Sequence, residues 1–230
     1  MGIRSRRRTR DWAAALPRDV LWTILSLVPQ DDILRTAGLV CASWRRLALD
    51  EPLLWRRIDL PAEKDKDGYP PAMWKARACA AVRRSAGRCE SYRGRVNRDF
   101  LLFLAGNAPS LRSLHVTSRF DMLDEKFMTV LAKKLPMLEE LVMSKGRIEH
   151  SSLAALVDHC PRLQLLDAGG CHTFNSTGVS LQARLESKIK DLRLPRLQDV
   201  RLRGRIGLVR AVPFPPPTGR LGRQLKPVGM

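Results

Sequence analysis

Aromatic residues make up only 6% of this 230-residue sequence, and just two of them are tyrosines. All five tryptophans (Trp12, Trp22, Trp44, Trp55 and Trp74) stand in the first third, so two modules with different core chemistry are expected, the later one driven by leucine. Histidine is scarce as well, and His115, His150, His159 and His172 form no constellation for metal binding or acid–base work. The five cysteines (Cys41, Cys79, Cys89, Cys160 and Cys171) contain no CxxC pair and no zinc spacing. No Gly-rich phosphate loop and no nucleophile elbow occurs. The expectation is therefore a non-enzyme with no catalytic residue, no cofactor and no metal. No apolar run approaches a membrane span, and the Arg-rich start has no apolar h-region of a signal peptide. An intracellular, reducing setting with free thiols follows, in the nucleus or cytoplasm.

Acidic residues are few against basic ones, 23 against 41, for a net charge of +18. Residues 1–10 carry five Arg and no acid, and residues 201–230 carry six Arg, one Lys and no acid. Setting those twelve aside leaves 29 basic and 23 acidic residues, a surplus of +6 over 11–200. Nonspecific polyanion binding by the two ends is the consequence. The first ten residues suit either a nuclear-import patch or a solvated tail. Met1-Gly2 satisfies the first requirement for myristoylation, but Arg6 stands where Ser or Thr is needed.

What the chain does have begins at Leu16. Val20, Leu21, Ile24, Leu25, Leu27 and Val28 fall on one broad helical face. Pro17 suits the first helical turn and Pro29 ends the helix. Asp31 or Asp32 can cap a second helix carrying Ile33, Leu34, Ala37 and Val40, with Gly38 as its weak point. A third helix runs through Ser43, Trp44, Leu47 and Leu49 and stops at Pro52. About forty residues are too few to bury all of that apolar face, so a partner should cover the surplus.

In order, Leu16-Pro17, Val20-Leu21, Ile24-Leu25, Leu27, Asp32-Ile33-Leu34, Val40-Cys41, Ser43-Trp44-Arg45, Leu47 and Pro52-Leu53-Leu54-Trp55 resemble an F-box. The family often has Glu where this chain has Asp19, and either carboxylate serves the first helical turn. The resemblance implies docking onto a Skp-type adaptor, and through it onto a cullin. It also implies that Leu16, Pro17, Val20, Ile24, Val28, Leu34, Val40 and Trp44 make the adaptor contact.

The second pattern is a repeat. Pro109, Pro136 and Pro161 are each followed by apolar residues at +2, +5 and +7: Leu111, Leu114, Val116; Leu138, Leu141, Met143; Leu163, Leu166, Ala168. Leu104, Leu131 and Leu156 precede those prolines by five residues. Ile189, Leu192 and Leu194 form a further unit without the proline. LxxLxL is a short strand and the stretch before it has the apolar density of a helix. Neither buries its face alone, so stacked units are expected, as in a leucine-rich solenoid. His159-Cys160-Pro161 and Gly170-Cys171 resemble the cysteine-containing subtype, whose cysteines pack as small hydrophobes. The whole arrangement is similar to small plant F-box/leucine-rich-repeat proteins.

The fold expected is α+β, mostly α: a three-helix F-box followed by a short α/β leucine-rich solenoid. Its parts are a basic lead-in (1–11), the F-box (12–60), a connector with a first degenerate repeat (61–98), the repeats (99–195) and a basic, Pro-rich tail (196–230). Pro213 and Pro215 to Pro217 suit extended polyproline, either a docking motif or a loose tail. Leu197, Val200 and Leu202 mimic the repeat too soon after the last strand for a full unit. In each LxxLxL strand the x positions must face the concave surface. There His115, Glu139, Glu140, Val142, Leu165 and Asp167 are the expected contacts to an unknown protein target. The function implied is target recognition in a Skp–cullin–F-box ubiquitin ligase. A nucleic-acid-associated protein and an F-box scaffold or truncated relative acting without a cullin are the alternatives.

Overall fold

A computed structural model describes residues 16–60, 71–174 and 178–197. The basic lead-in, most of the Ala62–Pro71 connector and the tail beyond Leu197 lie outside the described residues.

Helix α1 (Arg18–Leu27) starts directly after Pro17, which holds the cap position with φ −56° and ψ 149°. Leu21 and Leu25, four residues apart, are its buried positions. The amide of Val28 turns back to Leu25 O at 3.2 Å and ends it. The next stretch is helical throughout but changes pitch: α2 (Gln30–Asp32), a π-helical turn (Ile33–Ala37) and α3 (Gly38–Val40). Neither Asp31 nor Asp32 caps it; Pro29 takes that place. Asp31 is instead drawn into ion pairs with Arg35 at 2.6 Å and Arg77 at 2.5 Å. Gly38 is not a break, because Nε and Nη2 of Arg45 donate to its carbonyl at 3.1 and 2.7 Å. After an extended Cys41 comes α4 (Ala42–Asp50), then a 3₁₀ turn (Pro52–Trp55). Trp55 is fully buried; its Nε1 donates to Ala48 O at 3.0 Å, and the Arg84 guanidinium lies 5.1 Å from its ring centroid.

From there strands and helices alternate. The order is β1 (Arg57–Leu60), α5 (Pro71–Arg84), β2 (Ser91–Gly94), α6 (Arg98–Asn107), β3 (Ser113–Leu123), α7 (Glu125–Lys133), β4 (Glu140–Ile148), α8 (His150–His159), β5 (Leu165–Asp167), β6 (Cys171–Thr173), α9 (Val179–Lys188), β7 (Asp191–Arg193) and β8 (Arg196–Leu197). All pairings are parallel and the main path is β1-β2-β3-β4-β5-β7, so the sheet grows in chain order. The chain is mixed α/β. Its sheet is larger than the mostly α expectation, because β2 carries Tyr92 and Gly94 in place of the LxxLxL leucines, and β6 and β8 are only three and two residues long.

The register explains the repeat. Ile58, Tyr92, Leu114, Leu141, Leu166 and Leu192 align across the sheet, and all but the half-buried Leu192 are buried. The prolines have a mechanical role. Leu111 N donates to Ala108 O, Leu138 N to Leu135 O and Leu163 N to Cys160 O, at 3.1, 3.2 and 3.3 Å. Each proline is thus the second residue of the same four-residue turn, where its fixed φ fits. Helices α6 and α7 are capped by Asn97 and Asp124, which accept from Phe100 N at 2.9 Å and Phe127 N at 2.8 Å. The Phe127 amide, helped by Arg98, holds the Asp124 carboxyl below its ordinary range.

Beyond the LxxLxL register, β3 and β4 continue into a second ladder, where β4 pairs β6 and β6 pairs β8. Two glycines permit it. Gly146 has φ +147° and lies under the Phe120 ring, where a Cβ would come within 2.6 Å of the ring. At Gly170 a Cβ would meet Ser144 O at 1.9 Å. Cys160 and Cys171 are fully buried and donate to carbonyls of the preceding unit, Ala132 O at 3.8 Å and Met143 O at 3.4 Å. Burial pushes these thiols up to about 11 and about 12. Tryptophan and leucine regions share one continuous core, joined by Trp74, Tyr92, Phe100 and Phe103.

Candidate partner-binding surfaces

Helix α1 carries two apolar stripes. Leu21 and Leu25 face the core, with Val28 packed against it. Val20, Ile24 and Leu27, spaced i, i+4 and i+7, form the other stripe, and none of them is buried. The eight residues expected to touch an adaptor share that property. Pro17, Val20 and Val40 are exposed, and Leu16, Ile24, Val28, Leu34 and Trp44 are half-buried. Trp44 adds a polar feature: its Nε1 is enclosed and has no hydrogen-bond partner among the described residues.

The adaptor contacts expected from the sequence leave out the most exposed members of this surface. Leu27 is 81% and Leu39 80% exposed, and Trp22, Leu49 and Leu53 are exposed as well. Leu27 was legible, since it continues the Val20 and Ile24 stripe by one turn. Leu39 was not, because its outward position depends on the π-helical turn before it. Of thirteen exposed large hydrophobics among the described residues, seven lie between Val20 and Leu53. An apolar concentration of this kind marks an interaction surface.

The expected target residues lie on the opposite side of the sheet from the helices, and none is buried. His115, Val142, Asp167 and Arg193 stand side by side on β3, β4, β5 and β7. Glu140 and Leu165 form the neighbouring row with Ser113 and Asp191. The charges here are matched inside the chain. Arg56 pairs with Glu90 at 2.9 Å and Arg112 with Glu139 at 3.1 Å. Glu140 accepts from Ser113 Oγ at 2.9 Å and lies 3.6 Å from His115 Nε2. Asp167 accepts from Gly169 N at 2.9 Å and lies 3.5 Å from Arg193. Glu139 and Glu140 are thus engaged by their neighbours, whereas Val142 and Leu165 present half-buried apolar surface.

Among the described residues no group of His, Cys, Asp or Glu could hold a metal ion, and no helix is long and apolar enough to cross a membrane.

An F-box-like family model matches residues 13–61. F-box/LRR-repeat protein 9 of Arabidopsis thaliana is 32% identical over 162 residues, covering 68% of this chain and 65% of the relative. F-box/LRR-repeat protein 23 of the same plant is 29% identical over 163 residues, 70% of this chain and 35% of the relative. The F-box protein SKIP19, also from Arabidopsis thaliana, is 32% identical over 155 residues, 66% of this chain and 49% of the relative. The chain therefore spans between a third and two thirds of these relatives. It carries an F-box-like domain at residues 13–61, and its relatives are plant F-box/LRR-repeat proteins.

Proposed function

We propose that this chain is the non-catalytic target-recognition subunit of a Skp–cullin–F-box ubiquitin ligase. In this reading, residues 16–55 are a three-helix F-box that docks onto a Skp-type adaptor. Residues 57–197 are a short leucine-rich solenoid that holds the target. The observation that carries the reading is the outer stripe of α1 together with Leu39 and Val40. These are apolar side chains that the fold leaves outside, while Leu21, Leu25, Ile33, Ala37 and Leu47 fill the core. A specific interface of this class buries about 1,200–2,000 Å² in total.

The sheet supports the target side. Parallel sheets are ordinarily covered on both faces. Here helices cover one face, and the residues on the other, such as Arg57 and Asp59 on β1, Ser91 and Arg93 on β2, and Asp191 and Arg193 on β7, are not buried. An open parallel face of this kind suits a protein ligand. Catalysis is by proximity: holding a lysine-bearing target beside a charged conjugating enzyme makes their encounter close to intramolecular.

The test is co-purification with a Skp-type adaptor and its cullin. Replacing Leu16 and Pro17 together by Ala should abolish adaptor recovery while the far-UV spectrum and melting profile stay unchanged. Full recovery of the adaptor by that folded double variant would remove the basis of the assignment.

A further inference from the structure

The solvent face of the sheet divides into two electrostatic zones. In the LxxLxL zone basic residues are matched by acids across the strands, as Arg56 with Glu90 and Arg112 with Glu139. The second ladder is different. Arg119 stands opposite Lys145 on the next strand. Arg147, His172 and Arg196 form a row across β4, β6 and β8. Like charges directly opposite one another cost stability, and none of Arg119, Lys145, Arg147 and Arg196 has an ion pair among the described residues. Asp121, Asp124 and Glu149 are the acids of these strand segments and their ends, and Asp124 is engaged by Arg98 and the Phe127 amide. Beside the row stands Phe174, 43% exposed, with the Arg147 guanidinium 5.8 Å from its ring centroid.

We infer that this second ladder is the seat of a carboxylate-rich, extended segment of a partner protein, its acids on Arg119, Lys145, Arg147 and Arg196 and an apolar residue against Phe174. The inference deepens the reading of this face as the target side and rests on it. Charge decides the occupant. The chain's own ends cannot neutralise the row, since residues 1–10 and 201–230 carry twelve basic residues and no acid. A second copy brings another +18. Nucleic acid fits less well. Single-strand binders stack successive bases on several aromatics, and Phe174 is the one exposed large aromatic on this sheet among the described residues. The row also spans only three adjacent strands, about 10 Å at the usual strand spacing. That length matches a few carboxylates of an extended peptide. Half-buried Val142, on the same strand as Lys145, offers further apolar contact.

The experiment uses the full chain in complex with its adaptor and two fluorescent probes at matched salt. One is a twelve-residue peptide alternating Glu with Leu; the other is a single-stranded DNA of mixed sequence. Lys145→Glu/Arg147→Glu is compared with Lys133→Glu/Lys134→Glu, which makes the same change of net charge at exposed residues on the helix side. The row variant should weaken peptide binding about tenfold and the helix-side variant less than about twofold. Phe174→Ala should weaken the peptide and leave DNA binding unchanged. Equal losses in the two double variants would overturn the inference, as would a row variant that loses DNA while keeping the peptide. Adaptor recovery by the row variant separates the two levels. If it is retained while peptide binding does not change, this inference fails and the ligase reading stands.

Discussion

Gln30 is hydrogen-bonded to Asp59 across the junction between the helical segment and the sheet. Gln30 Oε1 accepts from the Asp59 amide at 3.1 Å, and Gln30 Nε2 donates to Arg57 O at 2.6 Å. One side-chain amide thus stands in for a neighbouring strand along β1, the outer edge of the sheet. Open edges recruit other chains, and here the F-box region closes one. The Arg77–Asp31 ion pair and the buried Trp55 fix the same junction. Under the proposed function, a target held on the sheet would keep a fixed relation to whatever holds α1.

Gln30→Ala removes both hydrogen bonds and reopens the edge. A loss of about 1–2 kcal/mol is expected, read as a lower urea midpoint at unchanged slope. An unchanged midpoint would mean that β1 needs no edge partner.

Much of this architecture is legible in the sequence, and particular residues show where legibility ends. The prolines and the +2, +5, +7 leucines mark repeats because each unit uses the same turn and the same inward register. The caps Asn97 and Asp124 carried no expectation in the sequence, although a short polar residue three before an apolar one is the usual cap pattern. The second ladder was not legible: β6 and β8 are three and two residues long, and their neighbours are set by Gly170 rather than by a hydrophobic period. Nor could the sequence reveal that Glu139 and Glu140 are engaged by Arg112, Ser113 and His115, since those partners lie a full repeat away. The apolar surplus of residues 16–55 was visible as composition. Which half of it faces outward required the packing of α1 and the π-helical turn.

Gly170→Ala tests the second ladder. The new Cβ would meet backbone at Ser144 O, which cannot swing aside as a side chain does. A cost of about 2–3 kcal/mol is expected, visible as a melting point several degrees lower. An Ala variant as stable as the parent would show that β4 and β6 do not approach this closely.

The buried thiols predict an alkaline weakness. Burial raises Cys89 and Cys171 to about 12 and Cys160 to about 11, from an ordinary 9.0. The neutral form is therefore favoured in the folded chain, and the unfolded chain loses these protons first. Their contribution to stability is complete below pH 9 and declines as pH rises from 9 toward 12. Denaturation midpoints should be level between pH 7 and 8.5 and fall above pH 9. At pH 8, iodoacetamide should reach the half-buried Cys41 and Cys79 before the other three. Rapid labelling of Cys160 in the folded protein would contradict this.

Deleting residues 1–10 and 201–230 removes twelve basic residues and no acid. Binding to nonspecific DNA at low salt should drop sharply, with a shallower dependence on salt. DNA binding undiminished by the deletion would place the polyanion surface within residues 11–200 and favour a nucleic-acid role.

Amide hydrogen exchange of the full chain, with and without a Skp-type adaptor, tests the central claim most directly, because it reports where a partner sits without altering any residue. The account predicts new protection confined to residues 16–55, with strands β3 to β7 unchanged. Protection that instead falls on the sheet, or no protection anywhere at saturating adaptor, would contradict it.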